Sequence, residues 1–136
     1  MSKKLTFGKL AGIIFCILAA AYTVVLLWAN AYFSGQMKVI DKYYTALVRD
    51  DYDSYRACYP QPLLMNEVSF AEEKEEILIL QDNENIHVKT EFISREKFGK
   101  DMYFVCYNLT IYNDSESVKI EKVSDLSLYR GKWALI

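Results

Sequence analysis

Histidine is almost missing from this 136-residue chain: there is one, His87, beside three cysteines, two prolines and five glycines. One imidazole leaves no closely spaced His/Cys set of the kind a zinc site needs, so no metal is expected. His87 falls on a strand pattern beside Lys89 and Glu91, with no orienting partner to make it a general base. Two external cysteines are too few for a disulfide scaffold. Scarce Gly and Pro with 52% hydrophobic residues exclude collagen-like, low-complexity and predominantly disordered states. A basic surface is missing too. Residues 31–136 hold 13 Lys and Arg against 18 Asp and Glu, a formal −5. Phosphate contacts need the opposite sign, so nucleic acid is not an expected partner, and this average also disfavours anionic lipid headgroups. No paired catalytic groups and no cofactor motif are present, so no catalytic residue and no cofactor are predicted.

What the sequence does have is a hydrophobic run. Residues 10–29 contain no Asp, Glu, Lys, Arg or His and are interrupted only by Gly12 and Thr23. At 1.5 Å per residue, twenty residues span roughly 30 Å, the hydrocarbon thickness of a bilayer. A soluble helix of that length would show a polar face. The expectation is a transmembrane helix over 10–33, after a cytoplasmic tail over 1–9. Lys3, Lys4 and Lys9 precede the run without an acid, while Lys38 and Lys42 follow it mixed with Asp41, Asp50 and Asp51. That bias puts the N-terminus in the cytoplasm and the rest outside. Trp28, Tyr32 and Phe33 fall at the outer headgroup level, as a membrane-interface belt. The rival is a signal peptide cleaved at Ala29-Asn30-Ala31, although its apolar region would be unusually long. Cys16 lies mid-run as a small apolar residue. Cys58 and Cys106 read either as two buried thiols or as one disulfide.

The remainder, 37–136, shows helical spacing first. Val39, Ile40, Tyr43, Tyr44, Leu47 and Val48 predict a helix over 37–49, either continuing the membrane helix or separated from it at Ser34-Gly35. Asp53 is a candidate N-cap for a short second helix to about Tyr59, ended by Pro60 and Pro62. Asp50-Asp51-Tyr52-Asp53 reads as a capping turn, since it lacks the Gly and distant Glu of a calcium loop. Ser69 and Glu72 match a capping box for a third helix, with the following glutamates near its positive end. Ile77-Leu78-Ile79-Leu80 suits a buried helix better than a strand. From Asn85 the period becomes two. Strands are predicted up to a turn at Phe98-Gly99-Lys100-Asp101, over 102–112, over 117–129 with a bulge near Lys122-Val123, and over 132–136 after an Arg130-Gly131 turn. The 102–112 strand is apolar on both faces, which predicts a sheet covered on both sides. Helices grouped before an antiparallel sheet make the fold class α+β, with a sheet of three to four strands curling around the first helix. Asn108-Leu109-Thr110 and Asn113-Asp114-Ser115 fit the short glycosylation pattern, which carries little information.

Two segments resemble a known group. Val39-Ile40-Asp41-Lys42-Tyr43-Tyr44-Thr45-Ala46-Leu47, followed by Asp50-Asp51-Tyr52-Asp53-Ser54-Tyr55, is similar to the opening helices of small bacterial members of the cone-shaped nuclear transport factor two-like superfamily. Leu128-Tyr129-Arg130-Gly131-Lys132-Trp133-Ala134-Leu135-Ile136 resembles their closing hairpin. The resemblance covers roughly 37–136 and rests on core and turn residues. It implies three helices packed on a curved sheet. Anchored members include inner-membrane assembly proteins of type IV secretion and conjugation systems, and small Gram-positive proteins without assigned roles. Other members are isomerases and cyclases that use Asp, His or Tyr in the cone. The fold would aim Tyr43, Leu47, Tyr55, Phe104 and Trp133 at the interior as a possible pocket.

The function expected from these features is a single-pass, membrane-anchored protein–protein interaction or assembly module with a non-catalytic extracytoplasmic domain. Its partners would be the lipid bilayer and other membrane or envelope proteins. The alternatives are an anchored small-molecule or lipid-binding cone and, more remotely, an isomerase-like enzyme.

Overall fold

A computed structural model describes residues 6–60 and 66–136. The lysines at 3 and 4, Pro62 and Leu63-Leu64-Met65 lie outside the described residues. The chain forms two compact units, Met1–Ser34 and Gly35–Ile136. In order, the elements are α1 (Phe7–Arg49), α2 (Tyr52–Arg56), α3 (Glu67–Glu75), β1 (His87–Gly99), β2 (Met102–Tyr112), β3 (Ser117–Tyr129) and β4 (Lys132–Leu135).

Ser34-Gly35 does not break α1. The Ser34 hydroxyl donates to the Ala31 carbonyl at 3.0 Å, a local bond that leaves the helix intact. In the first unit the apolar side chains are exposed, among them Phe15, Leu18 and Leu27. The Thr23 hydroxyl donates back to the Ala19 carbonyl at 2.9 Å, so the apolar stretch carries no unpaired hydroxyl there. Trp28 stacks on Tyr32 with ring centroids 5.4 Å apart, and Tyr32 meets Phe33 edge-on at 4.8 Å. This helix is long and apolar enough to cross a membrane, a property it shares with signal sequences.

The second unit is built on a four-stranded antiparallel sheet in the order β1-β2-β3-β4. β2 alternates: Val105, Tyr107, Leu109 and Ile111 are buried, while Phe104 and Tyr112 are exposed. The buried set meets Ile40, Tyr44, Ala46 and Leu47 of α1 and Leu126 of β3 in one core. Both edge strands reach neighbouring positions on the helix. A Cβ at Gly35 would lie 2.9 Å from Trp133 Cδ1 of β4. Arg95 of β1 donates through Nε to Gln36 Oε1 at 3.1 Å. A sheet whose two edges touch adjacent helix residues curls around that helix, as the sequence suggested.

Several expectations are corrected. The sheet is covered on one face, because Phe104 and Tyr112 look outward. The bulge is not in β3, whose register against β2 is unbroken from Ser117↔Tyr112 to Ser127↔Met102. Register shifts occur in β1 instead, between Phe92 and Ser94 and between Lys97 and Gly99. The N-cap of α2 is Asp51, whose carboxylate accepts from the Ser54 backbone N–H and hydroxyl; the helix ends at Arg56. The N-cap of α3 is Asn66, which accepts from the Ser69 N–H at 2.9 Å. The helix therefore starts three residues early, with Glu67 in its first turn, while Glu72, Glu73 and Glu75 fall in its C-terminal half, where the helix dipole disfavours them. It stops at Glu75, and Ile77-Leu78-Ile79-Leu80 is neither helix nor strand: Ile77 and Leu80 are buried, Leu78 and Ile79 exposed.

The segment after α3 is tied to the β2–β3 turn. The Glu116 carboxylate accepts the backbone N–H groups of Gln81 and Asp82 at 3.0 and 3.1 Å, and Asn113 Nδ2 donates to the Asp82 carbonyl at 2.7 Å. Charge-assisted bonds to backbone amides are stronger than neutral ones. Glu116→Ala is expected to cost about 1–2 kcal/mol and to speed hydrogen exchange at the Gln81 and Asp82 amides. Unchanged exchange at those two amides would show that the loop is held by other contacts.

Candidate binding cleft

Tyr43 and Tyr44 are consecutive on α1, so they point about 100° apart and serve different neighbours. Tyr43 faces α2 and the turn after it, with its ring 5.9 Å from Tyr55 and 6.4 Å from Tyr59. Its hydroxyl donates to Glu73 Oε2 of α3 at 2.6 Å, and the Tyr59 hydroxyl approaches the same oxygen at 3.5 Å. Tyr44 faces the sheet. Its hydroxyl is 2.8 Å from the Tyr107 hydroxyl, which is 2.8 Å from Ser124 Oγ of β3. Two polar clusters thus sit beside each other inside an aromatic wall.

Between them lies a cleft of about 300 Å³. Tyr43, Tyr44, Tyr59 and Glu76 line it from the helical side; Tyr107, Lys122 and Ser124 line it from the sheet; Leu135 and Ile136 close one end. That volume is at the lower limit of small-molecule sites. Burial raises the pKa of Tyr43, and the Glu73 carboxylate raises it further. Burial also raises Tyr44, with Tyr107 adding to it. Tyr59 moves up by burial and then by Glu73. Burial raises Tyr107, against the opposing hydrogen bonds of Ser124 and Tyr44. These four phenols are neutral at pH 7 and offer hydrogen bonds rather than phenolate chemistry.

Of the five pocket residues expected from sequence, the structure places only Tyr43 on the cleft. Leu47 and Tyr55 are buried in the core at 2% and 0% exposure. Trp133 packs edge-on against Tyr103 at 5.7 Å. Phe104 is on the outer sheet face, stacked on Phe98 at 4.1 Å, because its parity is opposite to that of Val105 and Tyr107. The Tyr55 hydroxyl is fully buried beside Glu73 and Tyr59, which add to the rise in its pKa that burial causes, but it makes no well-formed hydrogen bond. Sequence reasoning missed Tyr44, Tyr59, Glu76, Tyr107 and Ser124 on the cleft, and Glu73 behind Tyr43. Tyr107 was legible from strand parity, and Glu73 from its i+3 spacing to the buried Phe70. Ser124 required the β2–β3 register.

The remaining candidates are structural. His87 is exposed beside the Tyr112 ring at 5.4 Å. Asp51 caps α2, and Asp50 pairs with Lys74. Among the described residues no group of three or more His, Cys, Asp or Glu could hold a metal ion. Cys58 and Cys106 are free thiols. Cys58 is buried on the helical side, donating to the Ser54 carbonyl at 3.3 Å, and burial pushes its pKa to about 11. Cys106 is on the outer sheet face and donates to Glu121 Oε1 at 3.4 Å. The sheet separates them, which excludes a bond between them in this arrangement.

Neither a protein-family model nor a curated protein matches the sequence. Among solved structures, an NTF-2-like protein of unknown function from Shewanella oneidensis MR-1 is similar with a TM-score of 0.53 and 13% identity, covering 75% of this chain and 92% of that one. At that identity the likeness concerns architecture, not chemistry. The chain has an NTF-2-like α+β fold, with a long apolar helix at its N-terminus whose length and composition suit a membrane anchor or a signal sequence.

Proposed function

We propose that this chain is a single-pass membrane protein, N-terminus in the cytoplasm, whose extracytoplasmic NTF-2-like domain is a non-catalytic interaction module for other membrane or envelope proteins, as in a secretion or cell-envelope assembly. The observation that carries this reading is the outer sheet face. Val123 is 59% exposed and Phe104 38% exposed, with Cys106 beside Val123 and Phe98 stacked on Phe104. Glu96 and Asp125 stand opposite Phe104 on this face, giving a small apolar surface with an acidic border, a form that suits an interaction site. Tethering raises the local concentration of such a patch for neighbours in the same membrane, to the millimolar range for short linkers.

A photo-crosslinker at Val123, in full-length protein in native membranes, tests the reading. Discrete adducts are expected from Val123 and not from an equivalent probe at the exposed Glu72 of α3, and Phe104→Asp should abolish them. An adduct of twice the chain's mass would make the partner a second copy. Equal or absent adducts from both positions would overturn the interaction reading. Release by alkaline carbonate would overturn the anchor.

The cleft favours a second reading, an anchored small-molecule or lipid-binding domain. Its aromatic walls and neutral phenols suit a compact amphiphile. Mass spectrometry of solvent extracts would then find one compound in stoichiometric amount, lost from a Ser124→Phe variant that fills the cleft.

A further inference from the structure

We propose that the end of the sheet closed by the β1–β2 and β3–β4 turns is a docking rim for anionic phospholipid headgroups. The proposal rests on the membrane-anchored reading and adds to it the chemistry of the surface the domain meets. The antiparallel order puts both turns at one end of the sheet, and the Leu128 N–H joins them by donating to the Asp101 carbonyl at 2.9 Å. At this same end the domain begins, with Gly35 against Trp133 and Gln36 against Arg95.

Charge is concentrated here. Residues 95–105 and 124–134, which share one band of the sheet, carry Arg95, Lys97, Lys100, Arg130 and Lys132 against three acids, Glu96, Asp101 and Asp125. Elsewhere in 31–136, eight Lys and Arg face fifteen Asp and Glu. The domain's net −5 therefore conceals a strong polarity, and the sequence-level argument against anionic lipid fails at this end. Lys97, Lys100, Arg130 and Lys132 are all exposed. The Arg130 guanidinium lies 5.3 Å over the Tyr129 ring, giving a cation with an aromatic base, a combination suited to the headgroup region. Cations on two adjacent turn tips match a plane of phosphates better than a pocket would.

Covalent reach supplies the proximity. Gly35 follows Ala29, the last residue of the apolar run, by six positions, and six residues span at most about 20 Å. Juxtamembrane Lys and Arg attract anionic lipid with a strength on the order of 5-fold in affinity per charge, within a Debye length of the surface.

The test uses full-length protein in nanodiscs of phosphatidylcholine, with and without phosphatidylglycerol, read by hydrogen exchange. Peptides covering 97–101 and 129–132 should exchange more slowly in the anionic discs. Raised salt, or the combined exposed-site variant Lys97→Gln, Lys100→Gln, Arg130→Gln and Lys132→Gln, should remove the difference. Equal exchange in both lipids would overturn the rim while leaving the anchor standing. Flotation separates the two readings. If the chain fails to float with neutral vesicles, the anchor is lost. In that event co-flotation with anionic vesicles alone, abolished in the variant, would support the rim, and its absence would overturn it.

Discussion

Raising the pH above about 10 is expected to unfold the extramembrane domain in one cooperative step, with phenolate absorbance and near-UV circular dichroism changing together. Five tyrosines carry this expectation. Burial raises the pKa of Tyr43, Tyr44, Tyr55, Tyr59 and Tyr107 in the folded chain, with Glu73 and neighbouring phenols as further causes for most of them. In the unfolded chain each phenol ionises near pH 10. A group whose folded pKa is raised contributes stability that is intact below the unfolded value and falls as pH rises above it. Each phenol withdraws up to about 1.4 kcal/mol per pH unit while the pH lies between its unfolded and folded values, so the group together withdraws on the order of several kcal/mol per unit. Against a typical domain stability of about 5–15 kcal/mol, the transition should fall near pH 11–12. These phenols should ionise only as the domain opens. Full ionisation of all tyrosines with the near-UV signal unchanged would contradict the structure.

Tyr55 gives this expectation a sharper form. Its ring is fully buried and its hydroxyl makes no hydrogen bond. Tyr55→Phe removes an unsatisfied buried group, so it should be neutral or slightly stabilising at pH 7. It should also move the alkaline midpoint upward by removing one of the five ionisations. Tyr44→Phe differs, because it breaks the bond to Tyr107 at 2.8 Å and should cost about 1 kcal/mol at pH 7.

How far the sequence could be read depended on the range of the interactions. Local signals were reliable. Period-two alternation located β2, and Arg130-Gly131 forms the expected two-residue turn with φ of 49° and 78°, positive at both residues. Signals that needed a competitor to be weighed were not. Ser69-x-x-Glu72 is a sound capping box, but Asn66 caps the helix first and uses Ser69 as its donor. With the start moved, Glu72, Glu73 and Glu75 stand at the unfavourable end, and the helix stops before Ile77-Leu78-Ile79-Leu80. Phe104 shows a third kind of difficulty. An aromatic residue on a strand is counted as core by composition, yet parity alone put it on the face opposite Tyr107. The cleft was the least legible feature. It joins Tyr43, Glu76 and Ser124 from a helix, the C-cap of another helix and a strand, and no spacing in the sequence encodes those distances.

Trp133→Ala is expected to cost about 3–5 kcal/mol, the range for removing a large buried aromatic side chain, and to lower the melting temperature by on the order of 20 °C for a domain near 100 residues. Trp133 is 7% exposed and packs edge-on against Tyr103. Its indole lies over Gly35, where an added Cβ would sit 2.9 Å from Cδ1. This contact gives the glycine a reason to stand inside a 43-residue helix. Helix propensity alone favours Ala over Gly by about 1 kcal/mol, so at an open site Gly35→Ala would stabilise. Here the methyl group must displace a packed indole, and overpacking costs about 1–3 kcal/mol. Gly35→Ala should therefore destabilise the wild-type chain. In a Trp133→Ala background the obstacle is gone, and the same substitution should become stabilising by up to about 1 kcal/mol. The pair is in contact, so non-additivity is expected, and a double-mutant cycle measures it directly. Stabilisation by Gly35→Ala in both backgrounds would show that the indole does not rest on the helix at this position, and that the sheet does not close around α1 there.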